Sequence, residues 1–230
     1  MPETQIEING VWKTFGENTP RELTVLKDVS FSVEKGEVVG IIGPSGAGKS
    51  TLLQIMGVLE RPSQGMVRYD GVEPFGMTPE LLAGFRNSRI GFVFQFHHLL
   101  PEFSALENVM MPLLIAGKSG REAKRDATEI LELVGLKERL THRPAELSGG
   151  EQQRVAVARA AVHKPEVILA DEPTGNLDRN TGDKVFDLLL NLNKSHGITL
   201  IVVTHSAKLA AKMERVLELT DGKLPTGREV

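Results

Sequence analysis

Cysteine is absent from the 230 residues of this chain, which excludes disulfides, thiolate nucleophiles and cysteine-bound zinc. That composition fits a reducing compartment. No excess of basic charge is present either: the net charge is −3, so nothing marks a general nucleic-acid or anionic-membrane binder. Long apolar runs are missing, since no stretch approaches the roughly 18 to 20 residues that span a bilayer. The opening "MPETQIEING" lacks the basic and apolar regions of a signal peptide. Any membrane role is therefore expected to be peripheral, through a partner. No internal repeat or low-complexity segment is visible, and length allows one or two domains around a sizeable core.

What is present alternates between strand and helix. "IEINGVW", "TVLKDVSFSV" and "EVVGII" read as strands, with "EKGE" as the turn between the last two. "KSTLLQIMGVL" reads as a helix burying Leu52, Leu53, Ile55, Met56 and Leu59. "GMVRYDG" and "IGFVFQ" follow as strands. The middle differs. "REAKRDATEILELVGL" sets Ala123, Ala127, Ile130, Leu131 and Val134 at helical spacing above a solvated charged face, and from Phe96 to Ala161 no strand is evident. The last third returns to strands at "EVILA", "TLIVVT" and "RVLELTDGKL", with the amphipathic helix "NTGDKVFDLLLNLNKSHG" among them. Interleaved strands and helices predict an α/β fold with a largely parallel sheet covered on both faces. The helical stretch at about 96–161 reads as a subdomain inserted into it.

The sharpest chemical signal is "GPSGAGKS", Gly43 to Ser50, placed between a predicted strand and a predicted helix. Gly43, Gly46 and Gly48 let the backbone around Pro44, Ser45 and Ala47 turn its N–H groups inward on phosphate oxygens. The helix start at Lys49, Ser50 and Thr51 adds its positive partial charge. Lys49 would reach the β- and γ-phosphates, and Ser50 would bind Mg²⁺. The apolar run "VILADE" ends in Asp171 and Glu172, and ligands of parallel sheets bind beyond the carboxyl ends of strands. Asp171 would hold Mg²⁺ through water while Glu172 polarises the attacking water. "TLIVVT" ends beside His205, which could donate to the γ-phosphate.

A second glycine-rich helix start, "LSGGEQQR", begins at Leu147. Ser148 with Glu151 is a capping-box pattern, but Gly149 and Gly150 in the first turn each cost up to ~1 kcal/mol against alanine. Glycines there allow close approach to an anion. Either the chain binds two nucleotides, or two chains share one.

The ordered set "GPSGAGKST", Gln95, "LSGGE", "VILADEP", "GNLD" and His205 resembles the ATP-binding subunit of ABC transporters across essentially the whole chain. The resemblance implies a P-loop NTPase with a RecA-like core, an N-terminal antiparallel β-subdomain and an inserted helical subdomain. It implies ATP and Mg²⁺ as cofactors and a second copy of the chain as partner, in a head-to-tail ATP sandwich. Ser148, Gly149 and Gly150 would then contact the other copy's ATP. Phe15 in "KTFG" matches the aromatic that stacks on adenine, where tyrosine is commoner. Gln95 matches the glutamine that senses Mg²⁺ and the attacking water. Asp178 closes "GNLD", where many members have "SALD", and would sit at the dimer seam.

"QFHHLLPEFSALENVMMPLL", from Gln95, is greasy and carries His97 and His98. Buried core, failed membrane span and metal loop compete as readings. Its charges break a span, and no nearby carboxylate or histidine cluster completes a metal site. In the family this is the hinge beside which transmembrane permease subunits dock. Phe96 to Leu100 are accordingly expected to form a docking surface whose residues matter less to the isolated fold. The stretch is most similar to the lipoprotein-releasing (Lol) branch of the family. That implies an ATPase subunit on the cytoplasmic face of a bacterial inner membrane, with macrolide or peptide exporters and the cell-division complex as alternatives. A DNA- or ribosome-acting relative would carry a coiled-coil insertion or two ATPase domains, so no nucleic-acid partner is expected.

Overall fold

A computed structural model describes residues 3–224. The chain divides into two compact units, one taking the sequence up to Ala83 and again from Ile201, the other Gly84–Leu200.

The first unit opens with two long strands, β1 (Thr4–Phe15) and β2 (Leu23–Glu34), followed by β3 (Val38–Ile42), helix α1 (Lys49–Met56) and β4 (Gln64–Tyr69). β1 lies between β2 and β4 in an antiparallel three-stranded sheet. Alternation puts Ile6 and Ile8 of β1 and Val29 and Val33 of β2 inside, the period expected of a sheet with one buried face, and a register shift after Ile8 brings Val11 inside as well. The only tyrosine, Tyr69, is fully buried and gives its hydroxyl proton to the Met56 carbonyl at the end of α1. β3 is apolar throughout and pairs in parallel with β8 (Arg215–Glu218), Val39 facing Arg215 and Ile42 facing Glu218.

Helix α1 is shorter than its sequence pattern predicts. Leu52, Leu53, Ile55 and Met56 are buried, but the helix stops at Met56 and Gly57 caps it. Val58 then takes a left-handed conformation, φ 56°, and the chain leaves the helical path. Leu59 consequently falls outside the helix and is half exposed, not on its buried face. The strand expected across "RVLELTDGKL" likewise covers Arg215–Glu218 only.

In the second unit β5 (Ile90–Phe94) pairs in parallel with β6 (Val167–Asp171). Between them lie helices only: α3 (Ala105–Ile115), α4 (Gly120–Leu133) and α5 (Gly149–Ala161), with short helical turns. Ala123, Ala127 and Leu131 of α4 are fully buried against Val109 and Leu113 of α3 and Val155 and Ala158 of α5. α5 also lies close on β5, because a Cβ at Gly91 would meet the Ala160 carbonyl at 2.2 Å. The long α6 (Arg179–His196) ends at Gly197 in the left-handed conformation, φ 66°, as a terminal glycine allows.

Helix α2 (Pro79–Arg89) has no counterpart in the sequence pattern: Phe85 is its only buried side chain, too little for a periodic signal. β7 (Thr199–Val203), wholly buried, carries the unit boundary, and a four-residue helix α7 (Ala207–Ala210) follows it. Parallel pairs thus occur within both units, β3 with β8 in the first and β5 with β6 in the second. Non-sequential neighbours joined through helices are the mark of a doubly wound α/β sheet.

Candidate nucleotide site

In the first unit, Gly43 to Gly48 link β3 to α1 through three positive-φ glycines, Gly43 at 150°, Gly46 at 82° and Gly48 at 100°. Gly43 is also a contact point, since a Cβ there would sit 2.0 Å from the Leu219 carbonyl oxygen. At Gly46 there is open space around the would-be Cβ, so conformation alone calls for glycine there. Gly48 is the N-cap of α1, and no side chain caps the helix or places an acid in its first turn. The N–H groups of a helix start are orphans, so this one is arranged for an outside acceptor. Lys49 folds back over the loop, its ammonium donating to the carbonyls of Gly43 and Pro44 at 2.9 Å each. A phosphate would draw the ammonium from acceptors it already reaches. Ser50 is exposed and Thr51 half-buried at the same helix start.

Phe15 ends β1 with its ring partly exposed, and the Lys13 ammonium stands 4.8 Å from the ring centroid. Lys13 is itself held by Glu60 at 2.6 Å and the Arg61 carbonyl at 2.9 Å. The ring is thus positioned from one side and open to stacking. His205 follows β7 at the surface, next to buried Thr204, whose N–H donates to the Ile41 carbonyl at 3.1 Å.

The second unit presents the acids. Asp171 is the last residue of β6, and Glu172 follows in a left-handed conformation, φ 45°. Outside glycine that conformation costs of order 1 kcal/mol or more and concentrates at functional sites. The turn closing behind it is set by the Gly175 N–H on the Glu172 carbonyl at 3.0 Å. Asp178 caps α6, accepting from the N–H groups of Asn180 and Thr181 at 3.0 and 3.1 Å. The Thr181 hydroxyl, then these amides, hold its carboxyl below the usual range. So Asp178 has a local structural duty that its motif did not reveal.

At α5 the capping box forms as its sequence suggests. The Ser148 hydroxyl donates to Glu151 at 2.7 Å and accepts from the Glu151 N–H at 3.3 Å. The Ser148 hydroxyl and amide, then Arg139 at 2.9 Å, push the Glu151 carboxyl down to about 2. The two glycines separate in role. A Cβ at Gly150 would lie 2.4 Å from the Thr181 methyl, whereas at Gly149 it would find Leu177 at an ordinary 3.6 Å. Packing of α5 on α6 therefore accounts for Gly150. It does not account for Gly149.

The segment after Gln95 is tied down by residues that motif reading missed. His97 Nε2 donates to the Gly149 carbonyl at 2.9 Å, and Arg159 donates to the carbonyls of His97 and His98 at 2.8 and 2.7 Å. Buried Gln153 donates to the Phe94 carbonyl at 3.2 Å, and fully buried Asn108 bonds to the carbonyls of Leu100, Phe103 and Ser104. Nothing in their spacing announced these contacts. The apolar residues divide: Phe96 is 66% exposed, Leu100 39%, while Leu99 packs on the helical core. Leu99 thus departs from the expectation that this stretch matters little to the isolated fold. Among the described residues no cluster of three histidines or acids could hold a metal, and His97 is occupied by a carbonyl.

A glycine loop at an uncapped helix start, beside a doubly wound sheet, defines the class of phosphate-loop nucleotide-binding proteins. Comparison narrows it. The ABC transporter family matches residues 26–175, and the chain belongs to that family. It is 54% identical over 95% of its length to the lipoprotein-releasing system ATP-binding protein LolD of Geobacter metallireducens, covering 97% of that protein. The LolD protein of Legionella pneumophila (strain Paris) is 52% identical over 93% of this chain and 94% of its own. Among solved structures, the dimeric post-hydrolysis state of the ATP-binding cassette MJ0796, bound to ADP and Pi, superposes with a TM-score of 0.89 at 41% identity. That match covers 98% of this chain and 97% of the cassette. The P-loop NTPase fold and ATP hydrolysis expected from the sequence both stand.

Proposed function

We propose that this chain is the ATP-hydrolysing subunit of an ABC transporter that releases lipoproteins from a bacterial inner membrane for sorting to the outer membrane. The carrying observation is identity above one half to LolD proteins along nearly the full length of both chains. In this reading the loop Gly43–Thr51 holds the triphosphate of ATP and Phe15 stacks on its adenine. Glu172 accepts a proton from the attacking water, and His205 donates to the γ-phosphate. The donor set fits a magnesium ion that arrives with its nucleotide: one hydroxyl at Ser50, one carboxylate at Asp171 and the amide oxygen of Gln95. Mg²⁺ characteristically binds through few protein oxygens plus water and substrate phosphates, and there it would neutralise phosphate charge.

Two copies would pair head to tail, Ser148, Gly149 and Gly150 meeting the partner's ATP and Asp178 lying near the seam. The dimeric state of the similar cassette supports the pairing of two copies. The stretch 96–161 acts as a helical subdomain within the ATPase domain. Permease subunits dock near Gln95 to Leu100 and keep the chain at the cytoplasmic face; no described helix is long and apolar enough to cross a membrane.

Affinity purification from native membranes should recover two-sided evidence: lipoprotein-releasing permease subunits and ATPase activity in one complex. Recovery with an exporter or cell-division permease instead would overturn the cargo. Glu172→Gln should keep ATP affinity and lower hydrolysis at least about a hundredfold; near-normal turnover would remove Glu172 from the role of base. For docking, Phe96→Ser and Leu100→Ser should weaken permease association with little change in melting temperature. Leu99→Ser should instead destabilise the isolated chain by roughly 1–3 kcal/mol.

A further inference from the structure

Gln95 follows the last residue of β5, and its side chain is not left to choose an orientation. Asn176 Nδ2 donates to the Gln95 main-chain carbonyl at 3.0 Å, and Gln95 Nε2 donates to Asn176 Oδ1 at 3.0 Å. The two bonds close a ring whose polarity follows by elimination. A main-chain carbonyl can only accept, so Asn176 must turn its nitrogen toward it. Asn176 Oδ1 then faces the Gln95 carboxamide and also can only accept, so Gln95 must offer Nε2. Gln95 Oε1, the one side-chain atom able to bind a cation, is thereby turned away from the pair.

Residue 175 adds a second restraint. Gly175 has no side chain, and a Cβ there would lie 3.0 Å from Gln95 Nε2, 3.3 Å from Cδ and 3.4 Å from Cγ. The Gln95 side chain rests along this backbone. The same turn is braced by Gly175 N–H on the Glu172 carbonyl at 3.0 Å and Leu177 N–H on the Thr174 carbonyl at 3.1 Å. Gln95 is therefore oriented by the turn that also sets Glu172.

We infer that Asn176 is a positioning residue, orienting the Gln95 carboxamide so that Oε1 is presented to the divalent cation that accompanies the nucleotide. The inference rests on the reading of Gln95 as a cation ligand. The loop "GNLD" then has two functions within four residues: Asp178 caps α6 and Asn176 aims Gln95.

The test uses the full-length chain with a non-hydrolysable ATP analogue and Mn²⁺, its binding read by electron paramagnetic resonance. Asn176→Ala should weaken Mn²⁺ retention roughly tenfold, the scale of a lost outer-shell partner, while metal-free binding of the analogue stays unchanged. Gln95→Ala should weaken it at least as much, and adding Asn176→Ala to Gln95→Ala should change nothing further. If Asn176→Ala lowers the melting temperature, Asn176→Asp takes its place. It keeps the size and the acceptor toward Nε2 but sets an oxygen against the Gln95 carbonyl, and the same weakening is expected. An effect of Gln95→Ala with none from either Asn176 variant overturns the inference and leaves the role of Gln95 standing. Additive losses in the double variant overturn it too, since Asn176 would then act apart from Gln95. No effect of Gln95→Ala on Mn²⁺ removes Gln95 from the cation and the inference with it.

Discussion

The two glycine-rich helix starts look alike as sequence and differ as structure. At α1, Gly48 takes a left-handed conformation, and no side chain caps the first turn. At α5, Ser148 and Glu151 close a reciprocal box, and Arg139 holds Glu151 from outside. One start keeps its donors open for an incoming anion; the other already spends its serine hydroxyl on its own helix. A ligand at α1 gains orphan N–H groups directly. One at α5 must draw Ser148 away from Glu151, so its gain is a difference between two bonded states. The first site is suited to holding a nucleotide unaided, the second to completing a site whose main anchoring lies elsewhere.

The largest expected effect strikes the open start. Removing the charged donor in Lys49→Ala should weaken ATP binding by the isolated chain roughly ten- to a hundredfold, as for hydrogen bonds to charged groups. Ser148→Ala should leave that affinity unchanged in monomers while lowering hydrolysis, and cost about 1 kcal/mol of stability through the lost cap. Equal losses of affinity in the two variants, measured by calorimetric titration, would erase the contrast.

The next effect separates the glycines of α5. Gly150→Ala forces a methyl against Thr181 and should destabilise by roughly 1–3 kcal/mol. Thr181→Ser, which removes the opposing methyl, should restore much of it. Gly149→Ala meets no clash and should stabilise by up to ~1 kcal/mol, yet depress hydrolysis in the dimer. Full activity in Gly149→Ala would take away the nucleotide-facing reading of this helix start.

The smallest effect concerns acid. Because Glu151 is pushed from 4.5 down to about 2, its box stabilises the fold above pH 4.5, and that contribution is lost as pH falls toward 2. Acid unfolding should therefore be less steep across this window in Glu151→Gln, which begins less stable at neutral pH. Identical acid curves for both chains would mean that the box contributes nothing measurable at this partly buried position.

Sequence by itself determined the periodic and the obligatory. Apolar alternation marked β1 and β2, runs such as Val167–Ala170 marked the buried strands, and the Gly43–Ser50 spacing marked a phosphate loop whose backbone needs positive φ. The Ser148–Glu151 box was legible because its geometry is local, three residues along one chain. Tertiary structure decided whatever depends on residues distant in sequence. Leu59 left its helix face because α1 stops at Gly57, and α2 went unseen because it buries so little. Gly150 proved to be a packing glycine only once Thr181 stood beside it. Leu99 turned to the core although its neighbours Phe96 and Leu100 face outward. Asn176 found Gln95 across 81 positions. A repeating pattern records which face of an element is buried, whereas the partner of a polar amide depends on which loops folding brings within 3 Å.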